Sequence, residues 1–257
     1  MNEMLELDIA SSLESVGVYP GDILMIHGDA GVASQYRSIQ PELRLNHLIS
    51  KILEYIGPEG TVIVPTFSYS LTRGLDFDPT FTPSEVGLFS EAFRLYPKVK
   101  RSRHPIFSVA SFGKNTDKFI NTNIHDCFGK NTCFDLLRSL NAKIMTLGLG
   151  NLLRLTYIHY IEQTHRVKYR HMKKFKGNIV DGDKLSPVIT TYFVRDLSDE
   201  TKMDTKLLEE IADKQGLLKV GSVGRFPIMS IGARDCFNLG SSLLHENPYA
   251  LIKGQLY

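Results

Sequence analysis

Short, continuous apolar runs alternate with amphipathic segments through residue 167. Apolar residues recur at helical spacing in five segments, which predicts helices over 5–16, 43–56, 84–95, 132–140 and 155–167. The apolar runs between them predict strands over 23–26, 61–64, 107–112 and 144–147. The rest of the chain predicts antiparallel strands over 178–190 and 191–197, a helix over 206–214, strands over 217–223 and 228–231, and a last helix over 233–244.

Strands that are apolar throughout are typical of a sheet buried between two helix layers. The pattern therefore predicts an α/β fold, a three-layer α/β/α sandwich with a mixed central sheet, in a single domain over 1–257. Segment 65–94 has little strand signal before residue 84. A loop of that length often lines or covers a site.

Composition and charge narrow the classes of protein. The net charge of +2 gives no reason to expect a nucleic-acid partner. No apolar run approaches the roughly 18 residues of a membrane span. Glu3, Glu6 and Asp8 stand where a signal peptide needs basic charge. We therefore expect a soluble cytoplasmic protein with no membrane partner, and the sequence leaves the oligomeric state open, with a homodimer as one option.

One constellation in the predicted helix 155–167 could carry chemistry. Thr156, His159 and Glu162 are spaced by three residues, which places them on one face of a helix just after the turn Gly148-Leu149-Gly150. In acyl transfer to an amine, a histidine can act as general base, a carboxylate can orient it, and a hydroxyl can stabilise the oxyanion. The alternative is a helix whose histidine and carboxylate simply face solvent.

Two other kinds of site are chemically open to this chain. His159, Glu162 and His165 could bind a metal ion for hydrolysis, but the two histidines are six residues apart, whereas zincin helices place them four apart. Cys127 or Cys133 could serve as a nucleophile. The three cysteines form no CxxC pair, however, which favours buried, reduced thiols.

Two basic stretches, 98–104 and 166–176, could attract the phosphates of CoA or of a nucleotide-linked sugar. The alternative for each is a solvated charged face.

Four segments, in the same order along the chain, resemble motifs of the aminoglycoside 3-N-acetyltransferase family, and the similarity covers nearly the whole sequence. They are the strand and loop 21–27, the segment 57–68, the Arg-Ser-Arg-His-Pro motif of 101–105, and the Thr156, His159 and Glu162 helix, followed by Gly221 and Gly224 near the C-terminus.

The resemblance implies an acetyl-CoA-dependent N-acetyltransferase that uses no metal and acts on an amine of an amino sugar. It implies His159 as general base with a carboxylate partner, and direct transfer without an acyl-enzyme. It also implies that two loops help to hold CoA. Their residues are His27, Gly28 and Asp29 in the first loop, and Arg101, Ser102, Arg103 and His104 in the second.

The sequence departs from the family pattern at three places. His27-Gly28-Asp29 replaces His-Ser-Ser, which leaves an inactive CoA- or nucleotide-binding relative as an alternative. Segment 151–155 has no carboxylate, so the orienting role falls to Glu162. A basic stretch, 169–177, stands where an acidic acceptor pocket is expected.

That basic stretch favours a phosphate-bearing acceptor, such as a nucleotide-activated amino sugar of surface-polysaccharide synthesis, over an aminoglycoside antibiotic. We expect the acceptor to contact Phe67 and Tyr69 from the long loop, and Arg170 and Lys173 from the basic stretch.

Overall fold

The computed structural model describes residues 7–152 and 155–253. Its strands are β1 (Ile23–Gly28), β2 (Thr61–Pro65), β3 (Lys100–Arg101), β4 (Val109–Gly113), β5 (Lys143–Leu147), β6 (Arg170–Asp181), β7 (Lys184–Arg195), β8 (Lys219–Val223) and β9 (Phe226–Gly232). Seven of them form one sheet in the order β3-β4-β2-β1-β5-β9-β8. β1 is parallel to both β2 and β5, and the other pairs are antiparallel, so the sheet is mixed, as predicted.

Helices cover both faces of this sheet, which confirms the predicted three-layer sandwich. They are α1 (Ile9–Ser15), α2 (Arg44–Ile56), α3 (Leu88–Leu95), α4 (Thr116–Ile120), α5 (Cys133–Ser139), α6 (Tyr157–His165), α7 (Lys206–Lys214) and α8 (Ala233–Glu246). Leu24 and Ile26 pack with α1, α2 and α3 in one core cluster. Met25, between them, packs with helices α4 to α8 in the other. Alternate side chains of a strand point to opposite faces, so an apolar run of this kind serves two cores at once.

The largest error of the sequence interpretation concerns the second sheet. β6 and β7 pair along their whole length in a long hairpin, and the chain reverses between Asp181 and Lys184 rather than near residue 190. Gly182 adopts a φ of +60°, which the Asp-Gly turn accommodates easily. The first half of β6 was missed because most of its side chains, lysines among them, are exposed and give no apolar run.

Most other elements lie close to their predicted positions. The helix predicted over 206–214 is confirmed as α7. The helix predicted over 84–95 begins only at Leu88, after Gly87, which has a φ of 111° and ends the long loop. The long loop itself contains no strand in the structure and has one short 3-10 helix, Ser70–Arg73. The start of the helix predicted over 5–16 lies outside the described residues, as does part of segment 151–155.

None of the helices in the described ranges is long and apolar enough to cross a membrane.

Candidate active site

A cavity of about 680 Å³ opens at the edge of the sheet where the three parallel strands end. His27 and Gly28 end β1, Pro65 ends β2, and Leu149 follows β5, and all four line the cavity. Ligands of open α/β sheets bind at this edge because the loops that follow neighbouring parallel strands converge there. We call this space the front cavity.

Helix α6 brings the predicted catalytic residues to the front cavity. Thr156, which immediately precedes the helix, and His159 both line it. Glu162 lies one turn further on and is fully buried behind His159. The imidazole Nδ1 of His159 is 2.6 Å from Oε2 of Glu162, while 19% of the histidine side chain is exposed. The spacing of three residues thus places a buried carboxylate against one ring nitrogen and leaves Nε2 for a substrate.

Two neighbours hold Glu162 in its ionised form. The hydroxyl of Tyr169 donates to Oε1 at 3.0 Å, and Nε of Arg170 lies 2.8 Å from Oε2. Burial tends to raise the pKa of this carboxyl, but the attraction of His159 and Arg170 and the hydrogen bonds outweigh it, so the pKa lies below its usual value.

An ionised carboxylate can only accept hydrogen bonds, so Nδ1 of His159 carries the proton that it shares with Glu162. The neutral ring therefore presents the lone pair of Nε2. Burial and the positive charge of Arg170 lower the pKa of His159 below 6.5, although Glu162 opposes this shift. The imidazole is neutral at pH 7 and is able to accept a proton.

The structure does not bring Arg170 and Lys173, two of the four predicted acceptor-binding residues, to the front cavity. We call His159 and Glu162 the dyad. Arg170 is almost fully buried on the side of the dyad away from the front cavity, with Nη2 2.9 Å from Nδ1 of His159 and Nη1 donating to the carbonyl oxygen of Phe193 at 3.0 Å. Lys173 is exposed on β6, over the ring of Phe175. The sequence pattern showed the charge of both residues but not the direction in which each side chain points.

The predicted aromatic residues do line the front cavity. Phe67 and Tyr69 lie edge to face with their ring centroids 6.2 Å apart, and Tyr69 has a positive φ of 53°. Burial raises the pKa of the Tyr69 hydroxyl, so it remains a neutral hydrogen-bonding group.

The charged side chains that line the front cavity are acidic. Asp29 and Glu85 are the carboxylates of its lining, and within the described residues the lining contains no lysine or arginine. Asp29 accepts a hydrogen bond from the backbone of Gly31 at 2.7 Å. Glu85 forms an ion pair with Arg73, whose guanidinium binds both carboxylate oxygens from outside the lining of the cavity. Both carboxylates are exposed. Sequence analysis missed Glu85 because a single acid in a long polar loop gives no periodic signal.

His27 contributes an unpaired polar atom at the end of β1. Its Nε2 is buried and has no hydrogen-bond partner in the described part of the chain. Burial lowers the pKa of His27 to about 4, so the ring is neutral. A buried polar group without a partner is costly, and a ligand that supplies one gains affinity. The pantetheine arm of CoA carries amide and hydroxyl groups of the right kind. His27 and the adjacent Gly28 and Asp29 therefore fit a role in holding it.

The second loop predicted to hold CoA faces inward instead. The guanidinium of Arg101 binds the carbonyl oxygens of Thr66 (2.6 Å), Pro79 (3.3 Å) and Thr82, and it lies over the ring of Phe77. Arg101 thereby fastens the long loop to the sheet, and its donors are used within the protein.

The three residues after Arg101 are also engaged in the protein. Oγ of Ser102 accepts from the backbone of Val109 at 2.9 Å. His104 is buried and accepts a hydrogen bond from the backbone of Phe107 at Nδ1. Arg103 is exposed and pairs with Asp181 at 2.7 Å. None of the four residues lines the front cavity.

We expect Arg101→Ala to lower the melting temperature by roughly 10 °C or more, because it removes several charge-assisted hydrogen bonds at about 1.5–3 kcal/mol each. Arg103→Ala is the matched control, since an exposed ion pair contributes at most about 1 kcal/mol. Thermal unfolding of the two variants checks this expectation. Equal melting temperatures would contradict the structural role of Arg101.

The remaining residues of the alternative sites, His165, Cys127 and Cys133, do not line the front cavity. His165 is exposed and packs beside Phe237, away from His159 and Glu162. Among the residues that the structure describes, no group of three or more histidine, cysteine, aspartate or glutamate side chains could hold a metal ion. Cys127 and Cys133 are buried, and burial raises the pKa of both thiols, which disfavours the nucleophilic thiolate.

The chain is similar to known proteins in sequence and in fold. A family model described as aminoglycoside 3-N-acetyltransferase matches residues 32–245. Aminoglycoside N(3)-acetyltransferase IV from Salmonella sp. is 29% identical over 261 residues, an alignment that covers 97% of this chain and 91% of the relative.

Solved structures share the fold. The apoenzyme of aminoglycoside acetyltransferase AAC(3)-IVa superposes with a TM-score of 0.74 at 24% identity, over 94% of this chain and 89% of that one. A binary complex of AAC-IIIb with CoASH superposes with a TM-score of 0.77 at 19% identity, over 92% and 94% of the two chains. Because the family model matches well over half of the sequence, the chain belongs to the aminoglycoside 3-N-acetyltransferase family and is an acetyl-CoA-dependent acyltransferase.

Proposed function

We propose that this enzyme acetylates an amine of a polycationic amino sugar of the aminoglycoside class, with His159 as general base. One observation carries the proposal. Nε2, the ring nitrogen of His159 that Glu162 leaves free, belongs to a side chain that lines the front cavity. The described lining of that cavity contains two carboxylates and no lysine or arginine. Carboxylates attract the ammonium groups of such an acceptor, and the neutral imidazole can take a proton from the amine that reacts.

In the transfer step, the amine nitrogen attacks the thioester carbonyl while Nε2 of His159 removes its proton. The new C–N bond forms, the C–S bond breaks, and the departing CoA thiolate receives a proton from the imidazolium. Glu162 stabilises the positive ring while it carries the proton. Thr156 lines the cavity one helical turn before His159, which supports its hydroxyl as the donor to the developing oxyanion.

The charge distribution supports this acceptor over a phosphate-bearing one. A nucleotide-linked sugar would bring negative phosphates towards Asp29 and Glu85, and like charges placed together cost several kcal/mol. Lys173, the residue that suggested a phosphate partner, lies on the exposed hairpin, and Arg170 is committed to the dyad.

A thiol-release assay with acetyl-CoA tests the proposal on two acceptor panels, aminoglycosides and nucleotide-linked amino sugars. We expect kcat/KM to be at least roughly 100-fold higher for the best aminoglycoside. Turnover confined to the nucleotide-linked panel would reject the proposed acceptor class. If neither panel turned over although acetyl-CoA bound, the chain would be an inactive relative.

Paired variants locate the acceptor within the structure. Glu85→Gln removes an acidic group of the front cavity and should raise the acceptor KM roughly tenfold, the scale of one charge-assisted contact. Lys173→Ala changes a charge of opposite sign outside the cavity and should leave that KM unchanged. The reverse pattern would place the acceptor on the hairpin.

A further inference from the structure

A second cavity, of about 830 Å³, lies on the other side of the catalytic dyad. Arg170, which contacts Nδ1 of His159, lines this cavity, and so does Phe128, whose ring packs 5.6 Å from the imidazole, centroid to centroid. The front cavity and this one share no described lining residue. We call the second space the basic cavity, after Lys130, Arg166, Lys168, Arg170 and His171 in its lining.

These basic residues come from separate parts of the chain. Lys130 belongs to the loop before α5, Arg166 ends α6 with a positive φ of 50°, and Lys168 precedes β6. The first half of the basic stretch seen in the sequence thus lines one wall of a cavity, and a lysine from a distant loop also lines it. The alternative, a solvated charged face, would not require basic side chains from separate parts of the chain to meet in one cavity.

Lys130, Arg166 and Lys168 bring three positive charges to the lining, against the two carboxylates Asp126 and Asp135. In the described ranges none of the three forms an ion pair. Asp126 and Asp135, the two carboxylates of the lining, form hydrogen bonds with neighbouring groups instead. Asp126 accepts hydrogen bonds from the backbone of Phe128 and Gly129, each at 3.0 Å. Asp135 accepts from the hydroxyl of Tyr160 at 2.9 Å.

The lining also contains a buried acceptor that lacks a donor. Nε2 of Gln163 donates to the carboxylate of Asp126 at 2.9 and 3.1 Å, which fixes the orientation of the amide. Its Oε1 is buried and has no partner among the described residues. A phosphate cannot satisfy this atom, since it too is an acceptor, whereas a hydroxyl group can.

We propose that the basic cavity binds a small molecule that carries both a phosphate and free hydroxyl groups, the chemistry of a sugar phosphate. Lys130, Arg166 and Lys168 hold the phosphate through charge-assisted hydrogen bonds, and Oε1 of Gln163 accepts from a hydroxyl. The volume lies within the range of small-molecule sites, roughly 300–1,000 Å³. This cavity is separate from the front cavity, to which the proposed function assigns the acceptor and acetyl-CoA.

Isothermal titration of the full chain at low ionic strength tests the proposal with three probes: glucose 6-phosphate, inorganic phosphate and glucose. We expect glucose 6-phosphate to bind with a Kd of about 1 mM or below, phosphate to bind more weakly, and glucose not to bind. The affinity should fall as salt is added, because exposed charges are screened. Equal affinity for phosphate and glucose 6-phosphate would remove the hydroxyl contact and with it the assigned ligand class.

A pair of double variants shows where the probe binds. Lys130→Gln with Lys168→Gln should weaken glucose 6-phosphate binding roughly tenfold or more. Lys118→Gln with Lys184→Gln makes the same change of charge at exposed positions outside the cavity and should leave binding unaltered. Saturation with CoA should not displace the probe. Similar losses in both double variants, competition by CoA, or no binding of any probe would each overturn the proposal.

Discussion

Replacing His159 with alanine should lower kcat by about 10²–10⁴, the usual contribution of a general base. The loss follows from the geometry, because Nε2 of this ring is the basic atom that the dyad presents to the front cavity. Steady-state turnover with acetyl-CoA and an aminoglycoside measures it. The Kd of acetyl-CoA should change little, since the base acts on the amine.

His165→Ala is the matched control, because this histidine belongs to the same helix but is exposed and lies beside Phe237. It should retain the kcat of the unaltered enzyme. A His159→Ala variant with near-normal turnover would remove His159 from the mechanism, whatever the assay showed about the acceptor.

Replacing Arg170 with glutamine should raise the pKa of His159 and reduce activity most strongly at low pH. In the unaltered protein, burial and the Arg170 cation keep that pKa below 6.5. Activity needs the neutral ring, so it falls as the pH drops through this lowered pKa. Without the cation, Glu162 attracts the protonated ring unopposed, and the acidic limb of the kcat/KM profile moves to higher pH.

The pH profile isolates this effect because few charged groups face His159. Glu162 stabilises the protonated ring, and Arg170 and, more weakly, Arg195 oppose it. Arg170→Lys keeps the charge and should restore most of the normal profile. Arg195→Gln, the weaker neighbouring cation, should shift the profile least.

An NMR titration of the His159 imidazole reports the same pKa without turnover. It is needed because Arg170→Gln leaves a buried carboxylate without its fixed countercharge, which typically costs about 3–5 kcal/mol of stability. An unchanged imidazole pKa in a folded Arg170→Gln protein would show that the arginine has only a structural role.

The parts of the fold that sequence analysis predicted well are those with a local cause. Continuous apolar runs such as 23–26 and 61–64 can be stable only between two apolar layers, so the sandwich and its central strands followed directly. The dyad could also be predicted from the sequence, because a helix places residues 159 and 162 on the same face whatever surrounds it.

The errors arose where exposure or a distant partner decides the structure. β6 has few buried residues, so pairing with β7 rather than an apolar pattern defines it as a strand. Arg101 and Lys173 have similar charges in the sequence. One fastens a loop from inside the protein, whereas the other is exposed on a hairpin. No local sequence pattern distinguishes the buried position of the first side chain from the exposed position of the second.

The sequence by itself determined the layers of this protein, the helix that carries His159 and Glu162, and the family to which the motifs point, because each depends on residues close together in the chain. Only the tertiary structure decided where the charges lie. It put Asp29 and Glu85 at the front cavity, Arg170 behind His159, and Lys130 and Lys168 in the lining of a separate cavity. The electrostatic field at a site is a sum over neighbours in space, and those neighbours are remote in sequence.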